Sequence, residues 1–176
     1  MRLHLFSSKA LATELAKGQV DVESQAHYLW ISFVIFNLLY YSGLAITVAP
    51  LWSLPSILEA AALIAINIFG VFQAFEAAGG KENKSFLVEF TCLYVPIATT
   101  TLLPVWLAYW AIRIGFHNTL LALMEDRSQF VSNLLRMGTD FIGLLTFLAT
   151  VLALALSYWR MVRFLRIVQL SKEHGT

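Results

Sequence analysis

Few residues in this chain have the means for chemistry, and they are scattered. Glu59, Asn67 and Gln73 share one helical face with Ser56, Gly70 and Ala74. At about 100° per residue, that set covers about a third of a helix surface. A carboxyl and two carboxamides inside an apolar stretch are the parts of a proton or solute path. They are equally the parts of a polar seam bonded to a neighbouring helix. Glu76 and Glu89 flank a loop that carries Lys81, Glu82 and Lys84. Together the two carboxylates could bind a partner or couple a cation at a pathway mouth. Taken alone, Glu89 suits the first turn of a helix, where the dipole favours negative charge and Ser85 can cap.

Other reactive types are sparse. The histidines His4, His27, His117 and His174 have no i, i+3 or i, i+4 spacing for a metal or haem. Cys92 is the single cysteine, which excludes an internal disulfide and any multi-cysteine metal site. No phosphate-cradling glycine loop, nucleophile turn or dinucleotide fingerprint occurs. A net charge of +1 offers no bulk field for nucleic acid, and no basic strand is interleaved with aromatics. The expectation is no enzyme, no cofactor, no metal and no nucleic-acid partner.

The elements that must position these residues are membrane helices. The chain has 176 residues, 59% hydrophobic and 13% charged, with mean hydropathy +0.70. Soluble domains average about 45–50% apolar and about 25% charged. The apolar surplus therefore belongs against lipid. Four segments approach the roughly 20 apolar residues a spanning helix needs: 28–49, 54–76, 86–112 and 140–159. They predict an all-α integral membrane four-helix bundle, one domain over 28–159. An amphipathic segment, 1–27, precedes it and a basic tail, 160–176, follows. No cleavable signal or internal repeat is visible. Pro50 closes the first span, and "PLWSL" makes a tight hairpin with the second.

Aromatic residues support the edges. Tyr28 and Trp30 open the first span, Trp52 sits at the hairpin, and Trp106, Tyr109 and Trp110 close the third. Tyr158 and Trp159 close the fourth. Basic residues orient the bundle. Arg2, Lys9, Lys17, Lys81, Lys84, Arg160, Arg163, Arg166 and Lys172 fall on one side, against Arg113, Arg127 and Arg136 on the other. The positive-inside rule then places both termini in the cytoplasm, in the inner membrane of a bacterium.

Three segments flank the spans. "SSKALATELAKG" predicts a cytoplasmic amphipathic helix capped by Ser7 or Ser8 and ended by Gly18, with Leu11 and Leu15 on the headgroup-facing side. Asp21 can cap the helix that follows. Residues 116–137 predict an interfacial helix on the outer face between the third and fourth spans. The tail carries Arg160, Arg163 and Arg166 towards anionic lipid headgroups.

Two spans carry packing signals. Gly143, Thr146, Thr150, Ala153 and Ser157 repeat at spacings of 3 and 4, a small-residue stripe whose hydroxyls could bond across to a neighbour. The third span holds Pro96 and Pro104, which remove the donors to the carbonyls of Cys92 and Thr100 and kink the helix. Thr99, Thr100 and Thr101 stand beside those carbonyls and can mend the damage. Asn37 adds a polar group on the first span.

The functional expectation is a non-catalytic accessory, scaffold or assembly subunit of a larger membrane complex. Its partners would be the bilayer and another membrane protein or a second copy. The alternative is a small oligomeric transporter or channel unit built on the Glu59, Asn67 and Gln73 stripe. An immunity-type membrane protein shares the size and topology class.

Overall fold

The computed structural model of the chain describes residues 4–44, 54–123 and 129–174; the side chains at 39–44, 54–56, 113, 116–123, 129–142 and 174 lie outside that description. The expected hairpin with Pro50 and Trp52 and the outer-side Arg113, Arg127 and Arg136 fall outside it too. Among the described residues every regular element is helical: α1 Ser8–Ala16, α2 Val22–Leu44, α3 Leu54–Ala77, α4 Phe86–Leu123 and α5 Gln129–His174. Three stretches are long and apolar enough to cross a membrane: Ile57–Ala77, Phe86–Ile112 and Gly143–Glu173. The described part of α2 ends at Leu44, inside the expected first span.

Local chemistry sets the short elements. Ser7 caps α1, its Oγ accepting from the Ala10 N–H at 3.4 Å. Gly18, at φ 64°, ends it. The Gly18 N–H donates to the Leu15 carbonyl and the Gln19 N–H to that of Glu14, the paired bonds of a Schellman turn. Asp21 caps α2. The Ser24 hydroxyl, and with it the Ser24 backbone N–H, donates to its carboxylate and holds its pKa below the ordinary value. Between α3 and α4 the chain turns at Gly79 and Gly80, both at positive φ, through a 3-10 turn at Gly80–Glu82.

Helix continuity departs from expectation in one region. Residues 116–137 do not form a helix of their own. The part through Leu123 continues α4, and the part from Gln129 opens α5. No proline follows Pro104 in α4, so nothing obliges the backbone to stop at Ile112 when the side chains turn polar. α4 has 38 residues and α5 has 46. At about 1.5 Å per residue both outrun a hydrocarbon layer of about 30 Å. α4 also stays helical through Pro96 and Pro104.

α5 is the central strut, packed by α4, α3 and α1, while α2 packs on α4. α4 and α5 are antiparallel: Thr100 meets Arg160, and Glu89 meets Lys172. α3 runs parallel to α5, Gly70 lying against Tyr158 and Gly79 against Gln169. The buried core gathers at one end, beside the α3–α4 loop. It takes Leu11, Ala12 and Leu15 from α1, Tyr28 and Ile35 from α2, Ala74 from α3 and Ala78 beyond it. Phe86, Cys92, Leu93, Val95, Ile97 and Ala98 of α4 meet Met161, Leu165 and Val168 of α5 there. Phe75 meets Phe86 edge-on with ring centroids 5.2 Å apart.

The first helix corrects the expectation of a surface anchor. Leu11 and Ala12 are wholly buried against the bundle. Ser8 reaches Arg160, while Leu15 and Gly18 line a cleft with Glu89 and Lys172. Arg160 and Lys172 stand about 18 Å apart along α5, so α1 runs alongside α4 and α5 rather than across them. Burying leucines against protein removes them from water as well as lipid would, and with closer packing.

Candidate functional site

Two polar nodes lie within this packed end. The first centres on Glu89, which is 3% exposed. Ser85 Oγ lies 2.5 Å from its Oε1, Asn83 Nδ2 donates to Oε2 at 2.9 Å, and Lys172 Nζ donates to Oε1 as an ion pair. Asn83 organises the turn. Its Oδ1 accepts from the Ser85 N–H at 2.9 Å and its Nδ2 also donates to the Ala78 carbonyl at 2.8 Å. Each oxygen of the buried carboxylate therefore faces at least one donor, which is what keeps a buried charge tolerable. Glu76 takes no part: it is exposed on α3. The expected Glu76–Glu89 pair is thus corrected to Glu89–Lys172, a pair separated by 83 residues. A cleft of about 200 Å³ opens beside it, between Leu15, Val20, Gln25 and Val88.

The second node centres on Arg160. Its guanidinium donates to Thr100 Oγ1 and Thr101 Oγ1, each at 2.8 Å, and to Ser8 Oγ at 3.4 Å. Arg160 was expected to face lipid with Arg163 and Arg166; instead it turns inward, half-buried. Arg163 and Arg166 are exposed as expected. Spacing carries the signal: Arg160 follows Ser157 by three positions, on the edge of the packed stripe. Close by, Thr99 Oγ1 donates to the Leu5 carbonyl at 2.5 Å, and the His4 N–H donates to Tyr28 Oη at 2.7 Å. His4 Nε2 lies 3.0 Å from Glu14 Oε1. Three contacts thus tie residues 4–8 to one end of the bundle, and the His4–Glu14 contact joins the same segment to the first helix.

The threonines do not mend the carbonyls that the prolines free. Thr100 Oγ1 lies 2.7 Å from the Pro96 carbonyl, and Thr99 Oγ1 lies 3.0 Å from that of Val95. Neither bonds Cys92 or Thr100. The Thr100 hydroxyl instead satisfies the adjacent turn while its oxygen accepts from Arg160.

The stripe on α3 divides. Asn67 Nδ2 donates to the Leu63 carbonyl at 2.7 Å, and its Oδ1 accepts from Tyr158 Oη at 2.8 Å. Gly70 is buried beneath the same ring: a Cβ there would sit 2.3 Å from Tyr158 Cγ. Tyr158 was expected at the lipid edge, yet it packs inward. Tyr28, expected at the opposite edge of the first span, is 1% exposed. Gln73 is half-buried and Glu59 is exposed, so the stripe is not one continuous surface.

On α5 the small residues pack progressively. Gly143 has nothing within 4 Å of its missing Cβ, Thr146 and Thr150 are half-buried, and Ala153 and Ser157 are buried. Thr150 and Ser157 donate to carbonyls of their own helix, Thr146 and Ala153, at 2.9 and 2.7 Å. They do not bridge to a neighbour as expected. Trp106, Tyr109 and Trp110 cluster on α4, with Trp110 6.3 Å from each of the other two rings.

Asn83 was not singled out by sequence, although its partners Ala78, Ser85 and Glu89 are near neighbours in the chain. Ser8, Tyr158 and Lys172 were read only as a cap, an edge aromatic and an orienting cation; each meets a partner far away in the chain. Among the described residues no three His, Cys, Asp or Glu side chains come together as a metal site requires. Comparison with family models, curated proteins and solved structures finds no match to this chain.

Proposed function

We propose that the chain is a non-catalytic accessory or assembly subunit of a larger membrane complex, in which four helices cross the inner membrane of a bacterium and both termini face the cytoplasm. α2 supplies the fourth crossing. The lysine and arginine asymmetry supports the orientation. Its partners are the bilayer and another membrane protein or a second copy of itself.

One observation carries the reading: polar side chains within the candidate spans are spent on packing. Asn67, the central member of the α3 stripe, satisfies Leu63 and Tyr158. Thr99, Thr100, Thr150 and Ser157 bond backbone carbonyls. Groups used this way fix helices in place, whereas a permeation path needs them presented to water or solute. Large apolar side chains meanwhile remain outward on α3, among them Ile64, Ile68 and Phe69.

The test is affinity purification of the tagged full chain in mild detergent, with parallel deletion of the gene. Recovery with a larger membrane partner or as a defined oligomer is expected. Recovery only as a monomer, with no complex lost on deletion, would overturn the reading. Glu59→Gln and Asn67→Leu are expected to leave solute flux in proteoliposomes unchanged.

A further inference from the structure

The outward face of α5 changes chemistry within one turn. Leu148, Leu152, Leu156, Trp159, Arg163 and Arg166 follow at spacings of three and four, so they form one stripe along the helix. All six are exposed. Trp159 keeps 61% of its surface open, and Arg163 Cζ lies 6.0 Å from the centroid of its ring. Among the described residues the ion pairs are Lys172–Glu89 and His4–Glu14. Neither Arg163 nor Arg166 therefore has a carboxylate, and their two charges face outward, one turn apart.

An outward leucine row that ends in tryptophan and then in unpaired arginines matches the order of a leaflet: acyl chains, interface, headgroups. The guanidinium fork fits two phosphate oxygens at once and is more weakly hydrated than an ammonium. The tryptophan indole holds the arginine stem over the interface. We propose that Trp159, Arg163 and Arg166 form a site for the phosphodiester headgroup of an anionic lipid in the leaflet at the loop end of the bundle. Arg160 is not part of it, because its guanidinium is turned inward to Thr100, Thr101 and Ser8. The proposal rests on the membrane reading of α5 given above.

The full chain is reconstituted into nanodiscs of equimolar phosphatidylcholine and phosphatidylglycerol, extracted gently, and its retained lipids are weighed by native mass spectrometry. Phosphatidylglycerol is expected to be enriched on the wild-type protein. Arg163→Gln with Arg166→Gln should reduce that enrichment roughly thirtyfold, whereas Arg163→Lys with Arg166→Lys keeps part of it. Arg160→Gln should leave it unchanged. Equal retention of both lipids, or enrichment that survives the double glutamine variant, overturns the site while leaving the membrane reading standing. Failure of the wild-type chain to enter nanodiscs overturns both. Retention of inorganic phosphate by lipid-free protein at the same two arginines overturns the assignment to lipid.

Discussion

Single side chains decide where these helices touch. Gly70 allows Tyr158 to lie directly on α3, at a distance no Cβ would permit. Gly70→Ala therefore has to displace the ring and strain the Asn67 bond, and overpacking of this kind costs about 1–3 kcal/mol. Unfolding in detergent should show the loss, and in a Tyr158→Ala background the same substitution should cost far less; equal costs in both backgrounds would disprove the contact. Glu89 makes the opposite demand. Lys172→Met leaves a buried carboxylate with neutral donors only, and a lost partner of this kind costs roughly 1–3 kcal/mol. Adding Glu89→Gln should restore most of that stability, because Ser85 and Asn83 can still bond a neutral amide. No recovery in the double variant would mean that Lys172 acts by packing its stem.

At the scale of elements, the sequence is most legible where the physics is local. Ser7, Gly18 and Asp21 act on their own turn, and the structure finds each cap or stop in place. The length of α4 was hidden for the complementary reason. Hydropathy reports where side chains stop liking lipid, while helix continuity is a property of the backbone, and residues 112–123 contain no proline to break it. The inward turn of Arg160 was half-visible, in its spacing from Ser157. The pairing of Glu89 with Lys172 had no local trace at all. The placement of α1 was equally hidden, since a leucine face reads alike whether it meets headgroups or protein. That placement is testable: Leu11→Ala opens a cavity in a wholly buried position, worth about 2–5 kcal/mol. Amide exchange over residues 8–16 should accelerate strongly while α3 stays protected. Unchanged exchange there would put α1 on the membrane surface after all.

For the molecule as a whole, orientation and asymmetry are the two global properties. A reporter active only in the cytoplasm, fused after residue 176, should give signal, as should one fused ahead of residue 1. Signal from one terminus alone would require an odd number of crossings. Among the described residues the buried core reaches Ile35 on α2, begins at Ala74 on α3, ends at Ala98 on α4 and begins at Met161 on α5. Towards the other end Ile112, Ile114, Leu144 and Leu145 are exposed and Gly143 touches nothing. The loop end is clamped by interlocked side chains, so mismatch is expected to be absorbed as tilt of the helices beyond that core. Spin labels near Ile114 and Leu145 should change separation between short- and long-chain lipids, while labels near Ala78 and Val168 hold theirs. A change of bilayer thickness is expected to leave the interlocked loop end undisturbed.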